Sequence, residues 1–293
     1  MSPEAGSGFA GKKVYWIVGI LAGSLLAYFV FLPAFAGRLI ISPVIQIGSF
    51  SLRWYGLIMA GSILVGYFLA RRHSWKFGIS AHDIDDYAFW VIIAGLLGAR
   101  IYYVLFNLHF FSQHPAEIYQ IWHGGLSIYG GLIAGIIFTF LYTRRKAYTF
   151  LQLADLVVLS LPLAQALGRF GNFFNQEAFG IPTNLPWKMF VAPEHRPAEF
   201  ASFNYFHPTF LYEAVADVIV FLILRRLAGQ TRPGRILLAY LFSYSLFRFF
   251  IESIRIDSLF LYGFRVDQLI AFVLIIFSGI WFLHSKRNDA KIA

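Results

Sequence analysis

The stretch Gly168–Gly180 gathers side chains that could do chemistry at the end of an apolar run. Arg169, Asn172 and Asn175 recur every three residues, so a helical turn would place them on one face. With Glu177 they offer a fixed positive charge, amide donors and acceptors, and a carboxylate. Such groups are costly at a hydrocarbon boundary unless they are used. We therefore interpret this stretch as a functional site; the alternative is a capped helix end with interfacial polar residues.

A second set of polar residues ends another apolar run. Their spacing of four, four and three residues would align them in one helical stripe: Tyr244, Arg248, Glu252 and Arg255. Two guanidiniums around one carboxylate would leave net positive charge, which suits the binding of a phosphate group. The alternative is a structural ladder of salt bridges.

Structural roles explain much of two further patterns. Arg100 lies within an apolar run, where an arginine is a functional candidate unless it snorkels to the surface. Its partner would be Glu177 or a lipid phosphate. His207 opens a segment in which Thr209 could cap a helix, with Glu213 one turn inside it.

Glycines and tyrosines mark two other places. Gly130 and Gly131 permit close approach by either a neighbouring helix or a lipid headgroup. Tyr129, which precedes them, can donate or accept a hydrogen bond. Tyr55 lies in an aromatic segment that could equally anchor a helix at a membrane interface.

The composition is that of a polytopic membrane protein. The chain has 293 residues, of which 58% are hydrophobic and 13% charged, and a soluble domain would carry roughly twice that charged fraction. The net charge of +9 could suggest nucleic acid, but the basic residues fall in short clusters between apolar runs, as the positive-inside rule expects. No nucleic-acid partner is therefore expected.

We predict an all-α fold with seven core transmembrane helices, an extra N-terminal helix and a small periplasmic head loop. The core helices correspond to apolar runs near the ~20 residues needed to span a bilayer: Trp54–Ala70, Tyr87–Phe106, Leu126–Tyr142, Leu151–Leu167, Thr209–Leu224, Ile236–Phe250 and Phe264–His284. The N-terminal run, Val14–Ala36, is interpreted as a retained helix because it exceeds the usual length of a signal-peptide core, although Ala34–Ala36 resembles a cleavage site.

This topology places both chain ends in the cytoplasm. Most of the 24 Lys and Arg residues then lie inside, namely Lys12, Lys13, Arg71, Arg72, Lys76, Arg144, Arg145, Lys146, Arg225, Arg226, Arg232, Arg235, Lys286, Arg287 and Lys291. Four other ionisable residues are expected to lean toward the opposite side: Arg100, Asp155, Arg169 and Arg248. Residues 1–41 would form an N-terminal extension and 42–293 a single membrane-embedded domain, with 181–207 as the head loop.

Several catalytic classes lack their sequence patterns. There is no cysteine, so neither a disulfide nor an enzyme thiol nucleophile is possible, and any sulfur must come from a substrate. The histidines show no HExxH or other paired metal-ligand spacing, and no GxSxG or P-loop pattern occurs. A metalloprotease or a serine hydrolase is therefore disfavoured, and no metal is predicted.

The stretch Gly168–Gly180 resembles the signature of bacterial prolipoprotein diacylglyceryl transferases, G-R-x-G-N-F-x-N-x-E-x-x-G, at every fixed position. The resemblance covers about residues 42 to 284. Flanking features agree with the family in their order along the chain: Trp54–Gly56, Gly98–Phe106, Trp122–Gly131, Asp155, His207–Glu213 and Tyr244–Arg255.

This resemblance implies an enzyme of the bacterial inner membrane whose active site faces the periplasmic leaflet. Such an enzyme moves the diacylglyceryl group of phosphatidylglycerol to the thiol of the lipobox cysteine in a prolipoprotein signal peptide. A thioether forms and glycerol phosphate leaves. Its partners would be phosphatidylglycerol and the prolipoprotein, and no cofactor is expected.

The resemblance also assigns residue roles. Arg169 resembles the family's arginine that binds phosphatidylglycerol, and Arg248 resembles its second essential arginine, which would hold the phosphate as it leaves. The catalytic residues would be Arg169, Arg248, Tyr129, Tyr55, Glu177 and Asn172. Phosphatidylglycerol would contact Arg169, Asn172, Asn175, Gly180, Tyr244, Glu252, Arg255, Gly130, Gly131, Arg100 and His207.

The group that takes the proton from the substrate thiol stays open at this point. Some family members carry histidine at the position of Tyr129, and a tyrosine with its ordinary pKa near 10 is a poor base. We therefore expect the arginines to favour the thiolate and Tyr129 to orient a substrate.

An anionic-lipid transporter or flippase is the alternative function. A transporter predicts charges across the full membrane thickness and often an inverted repeat. No internal repeat is visible in the sequence, which favours the transferase.

Overall fold

The computed structural model describes residues 21, 23–229 and 232–289, and it is mostly helical. Its helices begin with α1 (Gly23–Phe35), which includes a π-helical turn, and continue with α2 (Trp54–His73), α3 (Ala81–Phe106), α4 (Leu108–Gln113), α5 (Ile128–Thr143), α6 (Phe150–Asn175), α7 (Thr209–Leu227), α8 (Arg235–Glu252) and α9 (Val266–Asp289). Three short antiparallel hairpins join them: β1 (Val44–Ile47) with β2 (Phe50–Arg53), β3 (Met189–Phe190) with β4 (Tyr205–Phe206), and β5 (Phe260–Leu261) with β6 (Phe264–Arg265).

Helix α6 is the central element and carries the signature. It starts at a capping box, in which the Thr149 hydroxyl accepts from the Gln152 amide and the Gln152 side chain accepts from the Thr149 amide. It ends where Gln176 adopts left-handed backbone torsions (φ 50°). The helix therefore runs past Leu167, where the apolar run ends, and presents the polar residues on a regular helical frame.

Apolar side chains on both flanks of α6 form the core. In the most apolar 18-residue segment of α6 half of the residues are buried, whereas the corresponding shares are 6% in α2 and 11% in α3. Helix α6 packs against α2, α7 and α8. Val158 and Leu159 of α6 meet Val220 and Leu224 of α7. The outer helices instead expose large apolar side chains to their surroundings, as a lipid environment requires.

Among the residues that the structure describes, three helices are long and apolar enough to cross a membrane: α2 with the turn that follows it, α3 and α6. Helices α1, α5 and α9 contribute shorter apolar segments. Helices α7 and α8 fall outside both groups because they carry ionisable residues, among them Glu213 and Arg248. These two helices hold much of the polar cluster described below.

The segment 181–207 folds around its own small core. Met189, Val191 and Phe206 are almost completely buried there, against Phe173 and Phe210 from the ends of α6 and α7. Two 3₁₀ turns lie between its two strands: Pro193–His195, which begins with a proline, and Ala198–Phe200, which follows Pro197.

The N-terminal run is described only in part. Residues 14–20 and 22 of the predicted helix Val14–Ala36 lie outside the described residues, as do Lys12 and Lys13. The described part is helical, and Phe31 and Phe35 stack against Phe173 with ring centroids 4.9 and 6.1 Å apart. The end of α1 thus packs beside the end of α6.

Candidate active site

Glu213 of α7 is the point at which three arginines meet. Its Oε2 lies 2.5 Å from Nη2 of Arg169 on α6, and its Oε1 lies 3.0 Å from Nη1 of Arg248 on α8. Arg255, in the turn after α8, places its Nη1 2.9 Å from the same Oε1. The Glu213 side chain is only 4% exposed. A single buried carboxylate therefore draws guanidiniums from two helices and a turn into one cluster.

Arg248 extends this cluster toward α5 and α9. Its Nη2 lies 2.8 Å from Glu252 Oε2, one turn along α8, and 2.7 Å from Oδ2 of Asp267 in the first turn of α9. The Tyr129 hydroxyl of α5 donates to Oδ1 of Asp267 over 3.3 Å. Tyr129 is thus connected to Arg248 through Asp267.

The turn after α8 is held by further ionic contacts. Arg255 donates to both carboxylate oxygens of Asp257, at 2.8 and 2.6 Å. Burial opposes ionisation of Asp257, but this bidentate pairing outweighs it and leaves the pKa of the carboxyl below its ordinary value. Arg265 of β6 donates to the carbonyls of Glu252 and Arg255 and to the hydroxyl of Ser258.

The cluster does not carry the net positive charge that the stripe in α8 suggested. Its four arginines are Arg169, Arg248, Arg255 and Arg265, and its four hydrogen-bonded or ion-paired carboxylates are Glu213, Glu252, Asp257 and Asp267. The expectation was wrong because it counted one helix, whereas Glu213 and Asp267 come from α7 and α9. Buried charges require such pairing because an unpaired ion in a dry environment is very costly.

Three buried atoms of the cluster have no hydrogen-bond partner among the described residues: Glu213 Oε2, Arg248 Nη1 and Glu252 Oε2. Each lies beside an opposite charge, but the contact is an ion pair without hydrogen-bond geometry. Buried polar atoms are normally hydrogen-bonded. The cluster therefore retains donor and acceptor capacity that a polar ligand could use.

The signature residues of α6 point in two directions. Arg169 turns toward Glu213, whereas Asn172 and Asn175 both donate their side-chain amides to Oε1 of Glu177, at 2.9 and 3.3 Å. A step of three residues falls about 60° short of a full helical turn, so successive members rotate away from the first. Asn172 and Asn175 therefore share a site, as the spacing predicts, whereas Arg169 contacts a different carboxylate, Glu213.

A cleft of about 560 Å³ opens beside this second site. Asn175, Glu177 and Asp257 line it, together with Arg53 at the end of β2 and His195 of the segment 181–207. Its volume is in the range of small-molecule sites. It lies where the end of α6 meets the turn after α8.

Gly180 and His207 are fixed by close backbone packing. The Gly180 amide donates to the His207 carbonyl over 2.9 Å, and a Cβ at Gly180 would lie 2.8 Å from the carbonyl oxygen of Ile254. Nδ1 of His207 lies 3.1 Å from the Tyr212 hydroxyl, and burial lowers the pKa of the imidazole. Thr209 does not cap α7 as predicted; its hydroxyl donates to the Ala178 carbonyl over 2.5 Å.

The two candidate tyrosines lie beside the arginines. The Tyr55 ring packs against α6 at Gly171, where a Cβ would come within 2.8 Å of the ring. Tyr244 stacks on Tyr240 with ring centroids 5.4 Å apart and lines a small cavity with Glu213.

Of the two roles suggested for Gly130, close approach by a neighbouring helix is the one that its contacts support. A Cβ there would lie 2.4 Å from the carbonyl oxygen of Gly98, so the glycine permits α5 to cross α3 at close range. Gly131 faces the carbonyl oxygen of Gly95 in the same crossing. Close helix packing accounts for both glycines.

Arg100 is held by the loop that precedes α5 rather than by Glu177, one of the two partners suggested for it. Its guanidinium donates to four backbone carbonyls, those of Glu117, Ile118, Gly124 and Gly125. Its side chain is buried beneath the loop 107–127. The expected pairing with Glu177 is wrong, because the loop satisfies the guanidinium locally.

Asp155 does not share a side with the arginines. It lies in the second turn of α6, 14 residues from Arg169, which is about 21 Å along a helix. Its carboxylate accepts the backbone amides of Gly234 and Leu237, both at 2.7 Å. Asp155 therefore caps the start of α8 at the opposite end of the bundle.

Sequence reasoning missed three carboxylates of this region. Glu213 was interpreted mainly through helix capping, and Asp267 carries no pattern beyond an acidic residue in a first helical turn. Asp217 lies four residues after Glu213, so ionisable residues on one face of an apolar run were the available signal. Within the described chain no three His, Asp or Glu side chains are grouped as metal ligands.

The apolar helices and the buried ionic cluster define a helical membrane protein with a polar site built between α6, α7 and α8. The profile of the prolipoprotein diacylglyceryl transferase family matches residues 42–284. The chain therefore belongs to that family.

Individual relatives agree over most of the chain. A phosphatidylglycerol–prolipoprotein diacylglyceryl transferase of Fervidobacterium nodosum is 47% identical over 279 residues, covering 94% of this chain and 96% of the relative. The protein of the same name from Thermotoga petrophila is 43% identical over 292 residues, covering 96% and 99%. One from Trichormus variabilis is 45% identical over 235 residues, covering 78% and 83%. These names support the transferase alternative, and nothing supports the transporter.

Proposed function

We propose that this protein transfers the diacylglyceryl group of phosphatidylglycerol to the lipobox cysteine thiol of prolipoproteins. Family membership and the relatives' names support the reaction. The structural observation that carries it is the meeting of Arg169 and Arg248 at one carboxylate, Glu213, between apolar helices. Two guanidiniums between apolar helices form a site for an anionic lipid headgroup.

Arg169 and Arg248 bind the phosphodiester in this proposal. The phosphate oxygens take over guanidinium donors now shared with carboxylates, beginning with the buried Nη1 of Arg248, which lacks a hydrogen bond. When the bond between the diacylglyceryl carbon and the phosphate oxygen breaks, the phosphate gains negative charge. Fixed guanidiniums stabilise that charge more strongly in the transition state than in the bound lipid.

The terminal glycerol of the headgroup fits the amide and carboxylate groups beside the phosphate. Asn172 and Asn175 donate hydrogen bonds to Glu177, and all three side chains can form hydrogen bonds with the hydroxyls of this glycerol. Tyr55, which packs against α6 at Gly171, and Tyr244, which lines the small cavity beside Glu213, position the lipid or the thiol. Gly180 and His207 act by fixing the turn that adjoins the cleft.

The thiol sulfur attacks the carbon of the diacylglyceryl group that is bonded to the phosphate oxygen. The electrons of the broken carbon–oxygen bond go to the departing glycerol phosphate. The thiolate is the nucleophile, and the ordinary pKa of a cysteine thiol is about 8.5, so nearby arginines favour its formation. Tyr129 orients a substrate through its link to Asp267.

The fold proposal has seven core transmembrane helices, α2, α3 and α5–α9, with an N-terminal helix before them. Residues 1–41 form that extension, 42–293 the membrane-embedded domain and 181–207 a head on the periplasmic side of the inner membrane. The positive-inside rule supports this orientation, since Arg71, Arg144 and Arg225 lie at helix ends away from Arg169.

The test is a reconstituted transfer assay. Purified protein in vesicles with phosphatidylglycerol labelled in its diacylglyceryl group should label a lipobox peptide, and should not label the same peptide with serine in place of cysteine. Arg169→Lys keeps the charge but loses the planar fork, so its kcat should fall about 10²-fold. Arg38→Lys, at an exposed position outside the cluster, is the matched control. Absence of label with folded wild-type protein would refute the function.

A further inference from the structure

Asp217 is a buried carboxylate that the reaction described above does not use. It lies on α7 one turn after Glu213 and is 2% exposed. Its Oδ2 has no hydrogen-bond partner among the described residues. An unpaired buried carboxylate is costly, so its retention beside the ionic cluster requires a reason.

A small cavity adjoins this carboxylate. Asp217, Glu213, Tyr244 and Arg248 are among the residues that line it, although most of its accessible wall is apolar, and its volume is about 10 Å³. The cavity therefore connects Asp217 to Arg248, one of the two arginines at which the phosphate is proposed to bind.

The charged and titratable groups around Asp217 come from three helices. Arg169 acts on it from α6, Arg248 and Tyr244 from α8, and Glu213 from its own helix. Tyr240 of α8 also lies within electrostatic range, although its hydroxyl donates to Gln165.

The four carboxylates of the cluster itself are poorly suited to take up a proton. Glu213 contacts three arginines, Glu252 contacts two, and Asp257 is held by both donors of Arg255. Asp267 binds Arg248 and Tyr129. Protonation of any of these would sacrifice an ion pair. Asp217 Oδ2 has no hydrogen bond to lose within the described part of the chain.

We propose that Asp217 accepts the thiol proton of the prolipoprotein. This inference rests on the proposed transferase function. The proton passes from sulfur to Asp217, the sulfur electron pair forms the new carbon–sulfur bond, and the carbon–oxygen electrons leave with the phosphate. The departing phosphate monoester, which has become more basic, then takes the proton from Asp217 and restores the carboxylate.

A selenocysteine substitution in the peptide separates this role from a structural one. A selenol is a much stronger acid than a thiol and is already ionised at neutral pH, so it needs no proton acceptor. Asp217→Asn should lower kcat with the cysteine peptide about 10²-fold, as expected for loss of a general base. With the selenocysteine peptide its kcat should stay within about threefold of wild type. The KM for phosphatidylglycerol should be unchanged.

Two variants complete the experiment. Asp217→Glu retains a proton acceptor, so its kcat with the cysteine peptide should be at least tenfold higher than that of Asp217→Asn. Asp155→Asn alters the buried carboxylate that caps α8, so any loss should be equal for both peptides. The selenocysteine-to-cysteine rate ratio does not depend on the amount of folded enzyme, so it remains informative if Asp217→Asn folds poorly.

The outcomes are distinct. Wild-type rates for Asp217→Asn with the cysteine peptide, or equal losses with both peptides, would overturn the role of Asp217. Failure of folded wild-type enzyme to modify either peptide would instead overturn the transferase function, and this inference with it.

Discussion

At the scale of single residues, the site depends on how three arginines share one carboxylate. Glu213→Gln keeps the side-chain shape but leaves Arg169, Arg248 and Arg255 without their common counter-charge. We expect a loss of about 3 kcal/mol in the free energy of unfolding, because removing one partner of a buried ionic group leaves the others uncompensated. Transfer activity should fall with it. Unfolding in detergent micelles measures the first effect.

Glu117→Gln is the matched control for that prediction. Glu117 pairs with His123 over 2.9 Å in a more exposed position, and such pairs contribute about 1 kcal/mol or less. If Glu213→Gln were no more destabilising than Glu117→Gln, the three arginines would not depend on this carboxylate.

Tyr129 permits a second residue-scale prediction. Its hydroxyl makes one long contact, 3.3 Å to Asp267, and tyrosine is a poor base at neutral pH. Tyr129→Phe should therefore keep kcat within about fivefold of wild type, since loss of one weak hydrogen bond costs about 1 kcal/mol. Steady-state transfer rates check this. A loss as large as that of Arg169→Ala would make Tyr129 an acid or base in the reaction.

Residue types and spacing were sufficient to find the arginines and the partner Glu252 within α8, but not the partners on other helices. Arg169 and Arg248 stand out because a charge is costly in an apolar helix. Glu213 stands out equally, yet its position near a helix start offered an ordinary explanation. Asp267 is separated from Arg248 by a hairpin and gives no local pattern. Contacts between helices decide these pairings, and no sequence window contains them.

At the scale of helices, the crossing of α3 and α5 positions the loop before Tyr129. A Cβ at Gly98 would lie 2.2 Å from Cβ of Ala134 and 2.7 Å from the Gly130 carbonyl oxygen. Gly98→Ala must therefore separate the helices, and we expect it to destabilise the protein by about 1–3 kcal/mol, the usual cost of overpacking. Thermal unfolding in detergent measures this.

Gly61→Ala provides the comparison within an exposed helix. Nothing lies within 4 Å of a Cβ at Gly61 of α2, and alanine favours a helix over glycine by about 1 kcal/mol. This variant should be neutral or slightly stabilised. Equal effects of the two alanines would contradict close packing at the crossing.

The apolar runs predicted where helices lie more reliably than where they end. Each run from Trp54 onward falls largely within one helix, because burial in lipid requires a continuous apolar segment. Helix ends depend instead on caps. Ser80 accepts from the Asp83 amide and starts α3 before its apolar run, and Gln176 ends α6 after its own.

At the scale of the whole molecule, the orientation in the membrane decides which leaflet supplies the lipid. Arg169 and the segment 181–207 lie at one end of α6, whereas Asp155 and the basic loop 144–147 lie at the other. In the proposed orientation the basic end faces the cytoplasm, as the positive-inside rule expects. Phosphatidylglycerol would then enter from the outer leaflet, where the lipobox cysteine of an exported protein also arrives.

The absence of cysteine allows this orientation to be measured with single introduced thiols. Ser202→Cys in the head segment and Ser112→Cys in α4 are both exposed, so a membrane-impermeant maleimide added outside right-side-out vesicles should label them. Ala147→Cys is equally exposed in the basic loop and should be labelled only after permeabilisation, because the bilayer separates it from the reagent. Labelling of Ala147→Cys alone in sealed vesicles would place the arginine cluster at the cytoplasmic face, away from the thiol that it is proposed to modify.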